Sequence, residues 1–187
     1  MRLFLALELQ PTTAAAVDLA VLPLREIEPK LGWVPAERLH LTMKFLGDAD
    51  EGQVIALAAA LDSVAAGHRA SEMTLAEVGA FPNFRRPRVV WLGVESEPRL
   101  ELLHHDLELA CADLGYEVEG RPFRPHLTLA RVREPLPVDR ARAFARAARR
   151  IAFSAAESVE RITLFDSTTG GSGARYRQVH VATLGGR

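Results

Sequence analysis

Two short segments of the chain carry one chemical pattern: His40-Leu41-Thr42-Met43 and His126-Leu127-Thr128-Leu129, each inside a run that reads as a β-strand. Successive side chains of a strand point to opposite faces, so residues two apart share a face. His40 and Thr42 therefore project together, as do His126 and Thr128, while Leu41, Met43, Leu127 and Leu129 turn toward a core. Each unit sets an imidazole beside a hydroxyl on a rigid, apolar-backed element. An unperturbed imidazole titrates near pH ~6.5, so one ring can take a proton while the other gives one. Each such transfer contributes roughly 10²–10⁴-fold to rate. With the two hydroxyls, the set is rich in donors and carries no fixed negative charge. It suits a phosphate or another anion held while a P–O bond breaks.

Phe45 and Arg131 each follow their motif histidine by five residues. Strict alternation puts both on the face away from the histidines, with Phe45 in the core and Arg131 a surface cation. A strand twist or a bulge would return them to the mouth of the cleft. There a ring and a guanidinium would suit a nucleobase and a phosphate. The residues alone leave both alternatives open. Two histidines without a nearby carboxylate or thiolate make a poor metal site, so no metal and no cofactor is expected. His68, His104, His105 and His180 read as surface or structural.

The elements that must position these groups follow from periodicity and breakers. Residues 2–8 form an apolar run suited to a buried strand, and Pro11 opens a helical stretch to about Leu31, broken near Pro23. The first motif strand spans residues 39–46, and a helix spans 50–66. Strands are expected at 71–80 and 88–94, and a helix from Pro98 to Leu114, stopped by Gly115. The second motif strand spans 126–132 and a helix 138–150. Strands at 151–156, 159–165 and 176–184 complete the chain, with a turn at Gly170-Gly171-Ser172-Gly173 before the last. Several strand pairs are joined by connections too short for a crossover helix, which points to an α+β fold with antiparallel pairing. Each HxTx strand follows a helix and a proline-containing turn and precedes another helix, so the chain reads as two related halves.

Composition sets the outer limits. The 187 residues, 48% hydrophobic and 25% charged with net charge −1, fit one soluble globular domain over 1–187. The overall charge gives no argument for nucleic acid, but nine arginines between Arg121 and Arg150 face only Glu134 and Asp139. That segment is either a phosphate-attracting field or the solvated face of a helix. Cys111 is the sole cysteine, so no intrachain disulfide is possible. No signal peptide or membrane-length apolar run is evident, and the expectation is a cytoplasmic monomer with no obligate protein partner and no membrane association.

The chain resembles the two-histidine (2H) phosphoesterase superfamily, which is defined by paired HxTx motifs, and within it the bacterial and archaeal RNA 2′,3′-cyclic phosphodiesterases, also called 2′-5′ RNA ligases. The resemblance rests on Arg2-Leu3-Phe4-Leu5-Ala6-Leu7, on Trp33-Val34-Pro35 and the run from His40 to Gly47, and on Gly79-Ala80-Phe81-Pro82. It continues through Arg88-Val89-Val90-Trp91-Leu92-Gly93-Val94, the run from Arg124 to Arg131, Leu164-Phe165-Asp166-Ser167 and Tyr176. It implies a bilobal fold in which two antiparallel sheets flank a central cleft, with helices outside and pseudo-twofold lobes. It also implies metal-independent hydrolysis of RNA 2′,3′-cyclic phosphate ends, or of small cyclic nucleotides, to 2′-phosphates. In those terms His40 would be the general acid and His126 the general base. Thr42 and Thr128 would hold the phosphate, and Arg131 and Phe45 the nucleoside. RNA 2′-5′ ligation, as the reverse reaction, and a non-catalytic RNA- or nucleotide-binding module are the alternatives.

Overall fold

In the computed structural model, which describes residues 1–95, 97–170 and 173–185, the first half of the chain runs β1 (Arg2–Glu8), α1 (Pro11–Ala20), α2 (Leu22–Ile27), β2 (Gly32–Trp33), a 3₁₀ turn (Ala36–Arg38), β3 (His40–Asp48) and α3 (Glu51–Gly67). It continues as β4 (Ser71–Phe81), β5 (Val89–Val94), α4 (Pro98–Asp113), β6 (His126–Arg131), α5 (Val138–Ala148), β7 (Ser154–Val159), β8 (Arg161–Gly170) and β9 (Gly173–Thr183). Local chemistry explains the ends. Asp50 caps α3 reciprocally: its carboxylate accepts from the Gln53 N–H at 2.8 Å, and the Gln53 side chain accepts from the Asp50 N–H at 2.9 Å. At α4, the Glu97 carboxylate accepts from the Arg99 and Leu100 N–H groups ahead of a proline in the first turn.

The helical stretch that opens at Pro11 is broken near Pro23 as expected, into α1 and α2, but it ends at Ile27 rather than near Leu31. A proline is tolerated only in the first turn, so the chain restarts at Leu22 with Pro23 in that turn. The second helix stops at Ile27 because Glu28, ahead of Pro29, is pushed out of helical geometry. The last three strands lie at Ser154–Val159, Arg161–Gly170 and Gly173–Thr183, later or longer than their periodicity suggests. In β7 an acid takes an inward place that an apolar pattern skips: Glu157 is buried and accepts the Gln10 N–H at 2.8 Å. Of the expected glycine-rich turn, Gly171 and Ser172 lie outside the described residues; Gly170 and Gly173 pair at the end of the β8–β9 hairpin.

The strands make one nine-stranded sheet in the order β7-β4-β5-β6-β3-β1-β8-β9, with β2 alongside β6. Every pairing is antiparallel, as the short connections imply. The two halves expected as separate sheets, β7-β4-β5-β6 and β3-β1-β8-β9, meet only where the motif strands touch. That contact is a single rung, Leu41 opposite Leu127. One face carries the main core: Leu3, Leu5 and Leu7 of β1 and Leu41 and Leu127 of the motif strands pack there with Val17, Leu57, Leu103 and Phe144 from the helices. The other face bears only a small cluster of Phe4, Ala6 and Phe165 with Tyr176. The motif histidines open onto that face.

Candidate active site

The single rung between the motif strands sets the geometry of the site. With Leu41 opposite Leu127 and the strands antiparallel, His40 lies toward Thr128 and His126 toward Thr42, on the face away from the helices. Both imidazoles are tethered from behind in the same way. The Nδ1–H of His40 donates to the Arg38 carbonyl at 2.8 Å, and that of His126 to the Arg124 carbonyl at 2.7 Å. A carbonyl only accepts, so the proton sits on Nδ1 and each Nε2 is free to work in the cleft. Neither threonine hydroxyl is engaged by another described residue, which leaves both as donors to a ligand.

Both motif strands contain a bulge at the same place. The pairing of β3 with β1 passes from Thr42↔Ala6 to Lys44↔Leu5 and skips Met43. That of β6 with β5 passes from Thr128↔Trp91 to Ala130↔Val90 and skips Leu129. The extra residue reverses the alternation: Met43 and Lys44 are buried in succession, as are Leu129 and Ala130. Phe45 and Arg131 thereby return to the histidine face. Phe45 is 74% exposed and its ring lies 6.1 Å from Phe4, which itself lies 5.2 Å from His40. Arg131 is exposed, has no carboxylate partner among the described residues, and is close enough to perturb His40. Phe45 is therefore not a core residue, and both side chains lie on the same face as the histidines.

Several groups around the histidines carry the resemblance in the sequence without any role at the site being read from them. Tyr176 meets the His40 ring edge-on at 5.2 Å, and Phe4 stacks on Phe165 at 5.2 Å. On the other side Phe81 meets His126 edge-on at 5.0 Å, with Trp91 at 6.4 Å. The Trp91 indole packs against Gly79, where a Cβ would stand 2.1 Å from Cη2 and Cζ2, and close to Gly93, so two glycines make room for it. The period-two phase of β1 and β5 could have shown that Phe4, Glu8 and Trp91 share the histidine face. Tyr176 and Phe165 come from distant strands and carry no local signal.

Glu8 breaks the symmetry of the halves. It stands directly opposite His40 in the β1–β3 register, whereas the matching place opposite His126 is Gly93. Its carboxylate accepts from the Thr163 hydroxyl at 2.8 Å and from the Gln178 amide at 2.9 Å. Burial holds the His40 pKa below its ordinary 6.5; the bond to the Arg38 carbonyl and the Glu8 carboxylate push it back up, and the Arg131 guanidinium pushes it down.

The remaining histidines and arginines have other work. His68 donates to Asp106 at 2.8 Å and His180 to Asp62 at 2.7 Å, while His104 stacks on Phe123 at 3.8 Å. His105 is exposed. In the arginine-rich segment, Arg140 reaches from α5 to the buried carboxylate of Glu28, Nε to Oε1 at 2.8 Å. Arg121 pairs with Glu119 at 2.8 Å and Arg142 stands 3.8 Å from Asp139. That part of the segment is structural or locally neutralised. Among the described residues no three His, Cys, Asp or Glu side chains are grouped as a metal ion would need, and no helix is long and apolar enough to cross a membrane.

Comparison with known proteins gives the family. An RNA 2′,3′-cyclic phosphodiesterase of Geobacillus stearothermophilus is 40% identical over 99 residues, which is 53% of this chain and 32% of that one. The chain thus spans about a third of that relative's length. An RNA 2′,3′-cyclic phosphodiesterase of Methanothermobacter thermautotrophicus is 33% identical over 135 residues, covering 72% of this chain and 73% of its own. Among solved structures, E. coli LigT in complex with 3′-AMP superposes with a TM-score of 0.74 at 27% identity, over 98% of this chain and 97% of that one. The family profile matches residues 11–171, and with both HxTx strands inside that span the chain belongs to the 2′-5′ RNA ligase superfamily.

Proposed function

We propose that the cleft hydrolyses ribonucleoside 2′,3′-cyclic phosphates to 2′-phosphates by acid–base catalysis between His40 and His126. The observation that carries this reading is the pair of imidazoles, each tethered through Nδ1 to a carbonyl and each with Nε2 in the cleft. The phosphate lies between them, its non-bridging oxygens taking bonds from Thr42 and Thr128. The His126 Nε2 removes a proton from water as the new O–P bond forms. The His40 Nε2–H gives its proton to the departing 3′-oxygen as the P–O3′ bond breaks. Proton count and charge balance, and the two rings end in exchanged states.

Burial disfavours an imidazolium at His40, and the Glu8 carboxylate opposite it offsets part of that, whereas glycine stands at the equivalent place beside His126. This asymmetry is what supports giving His40 the donor role. Phe45 and Arg131, brought to the mouth by the twin bulges, hold the nucleoside. The activity of the Geobacillus and Methanothermobacter relatives and the 3′-AMP bound to E. coli LigT support the substrate class. Ligation is the same chemistry reversed, with a 5′-hydroxyl in place of water, and the Phe81–Trp91 wall beside His126 offers a surface for a second base.

The test is turnover of 2′,3′-cyclic AMP by the wild-type chain and by His40→Ala and His126→Ala. Near-complete loss in both variants is expected. Full activity in either would remove that histidine from the mechanism, and tight binding without product would make the cleft a binding module instead.

A further inference from the structure

We propose that the loop between β4 and β5, with the adjoining end of β6, binds the phosphodiester backbone of an RNA strand whose cyclic end lies in the cleft. This rests on the activity proposed above and assigns it a polynucleotide rather than a free cyclic mononucleotide. The loop leaves the cleft wall at Phe81, which touches His126, and returns at Val89, which pairs with Arg131. It carries Arg85, Arg86 and Arg88, all exposed. Beside it on β6 and just beyond stand Arg131 and Arg133; the Val132 N–H between them donates to the Arg88 carbonyl at 2.9 Å. None of these five arginines has a carboxylate partner among the described residues, whereas Arg121, Arg140, Arg142 and Arg177 all do.

The loop is also pinned. Asn83 accepts from the Arg85 N–H at 2.9 Å and the Arg86 N–H at 3.3 Å, and the Arg88 N–H donates to the Phe81 carbonyl at 2.7 Å. Phe84 sits 6.4 Å from Phe144 of α5, and Pro87 is buried. Guanidinium groups on a fixed platform lose little freedom when they meet phosphates, and they release counterions as they do so. A mononucleotide fills only the cleft between the histidines. A strand leading away from its cyclic end needs cationic partners beyond it, and here they are unpaired.

The experiment compares kcat/KM for an oligoribonucleotide ending in a 2′,3′-cyclic phosphate with that for 2′,3′-cyclic AMP, in the wild type and in Arg85→Ala/Arg86→Ala. Oligonucleotide binding is followed by fluorescence anisotropy across a salt series. The variant should lose about tenfold on the oligonucleotide at low salt, show a shallower salt dependence of binding, and keep its activity on the mononucleotide. Equal losses on both substrates, or no loss on either, would overturn the proposal. The anisotropy arm separates the two claims. If the wild type turns over neither substrate, the proposed activity fails, and a salt-dependent affinity weakened in the variant still supports the backbone track. Unchanged affinity in the variant would overturn it.

Discussion

His40 and His126 are alike in the carbonyl behind each ring and unlike in what faces them. His40 is the more constrained. Burial lowers its pKa below 6.5, and Glu8 offsets part of that depression. In the proposed role of general acid His40 must be protonated, so without substrate its contribution falls as pH rises through this lowered pKa. Bound phosphate, being anionic, favours the imidazolium. The alkaline limb of kcat is therefore expected at higher pH than that of kcat/KM, a difference that steady-state pH profiles measure directly. Glu8→Gln removes the carboxylate that offsets part of the burial and should move the limb that His40 controls to lower pH. If His40 is the acid, the alkaline limb moves. Movement of the acidic limb instead would reverse the roles of the two histidines. His40→Ala and His126→Ala should each cost at least about 10²-fold in kcat with the fold intact by circular dichroism.

At the scale of elements, the twin bulges decide which residues reach the cleft. The HxTx pairs were legible from strand periodicity alone, because two residues of alternation precede the bulge in each strand. Phe45 and Arg131 were not, since a bulge appears in the sequence only as two inward residues in a row, and one of those is Lys44. A lysine there looks like a surface residue. In the fold it is buried and donates to Glu108 at 2.6 Å and to the Glu117 carbonyl at 2.8 Å, tying β3 to α4 and to the loop that leads to β6. Lys44→Met takes the cation from the buried Glu108 carboxylate, which keeps only the Glu119 N–H at 3.1 Å and His104 at 3.7 Å. The change should cost about 3–5 kcal/mol in urea unfolding, part of it recovered in the double variant with Glu108→Met. A loss under 1 kcal/mol would show that the pair is not structural. Gly79→Ala puts a methyl into the Trp91 indole and should cost about 1–3 kcal/mol while displacing Trp91 fluorescence. Glu8 was missed for a simpler reason: an acid at a strand end reads as a stop, and its partners Thr163 and Gln178 lie far along the chain.

At the scale of the whole molecule, the antiparallel α+β class followed from short connections, but the joining of the halves into one sheet did not. That joining depends on the rung between Leu41 and Leu127, two apolar residues whose pairing no local pattern specifies. The same rung, where the two half-sheets pair, brings the histidines to one face and leaves the helices on the other. The chemistry of the cleft is tested most directly by incubating the protein with 2′,3′-cyclic AMP in excess chelator and identifying the phosphate isomer formed. The expected result is sustained turnover to the 2′-phosphate, as protonation of the 3′-oxygen by His40 requires. Formation of the 3′-phosphate, or turnover abolished by the chelator, would contradict the account.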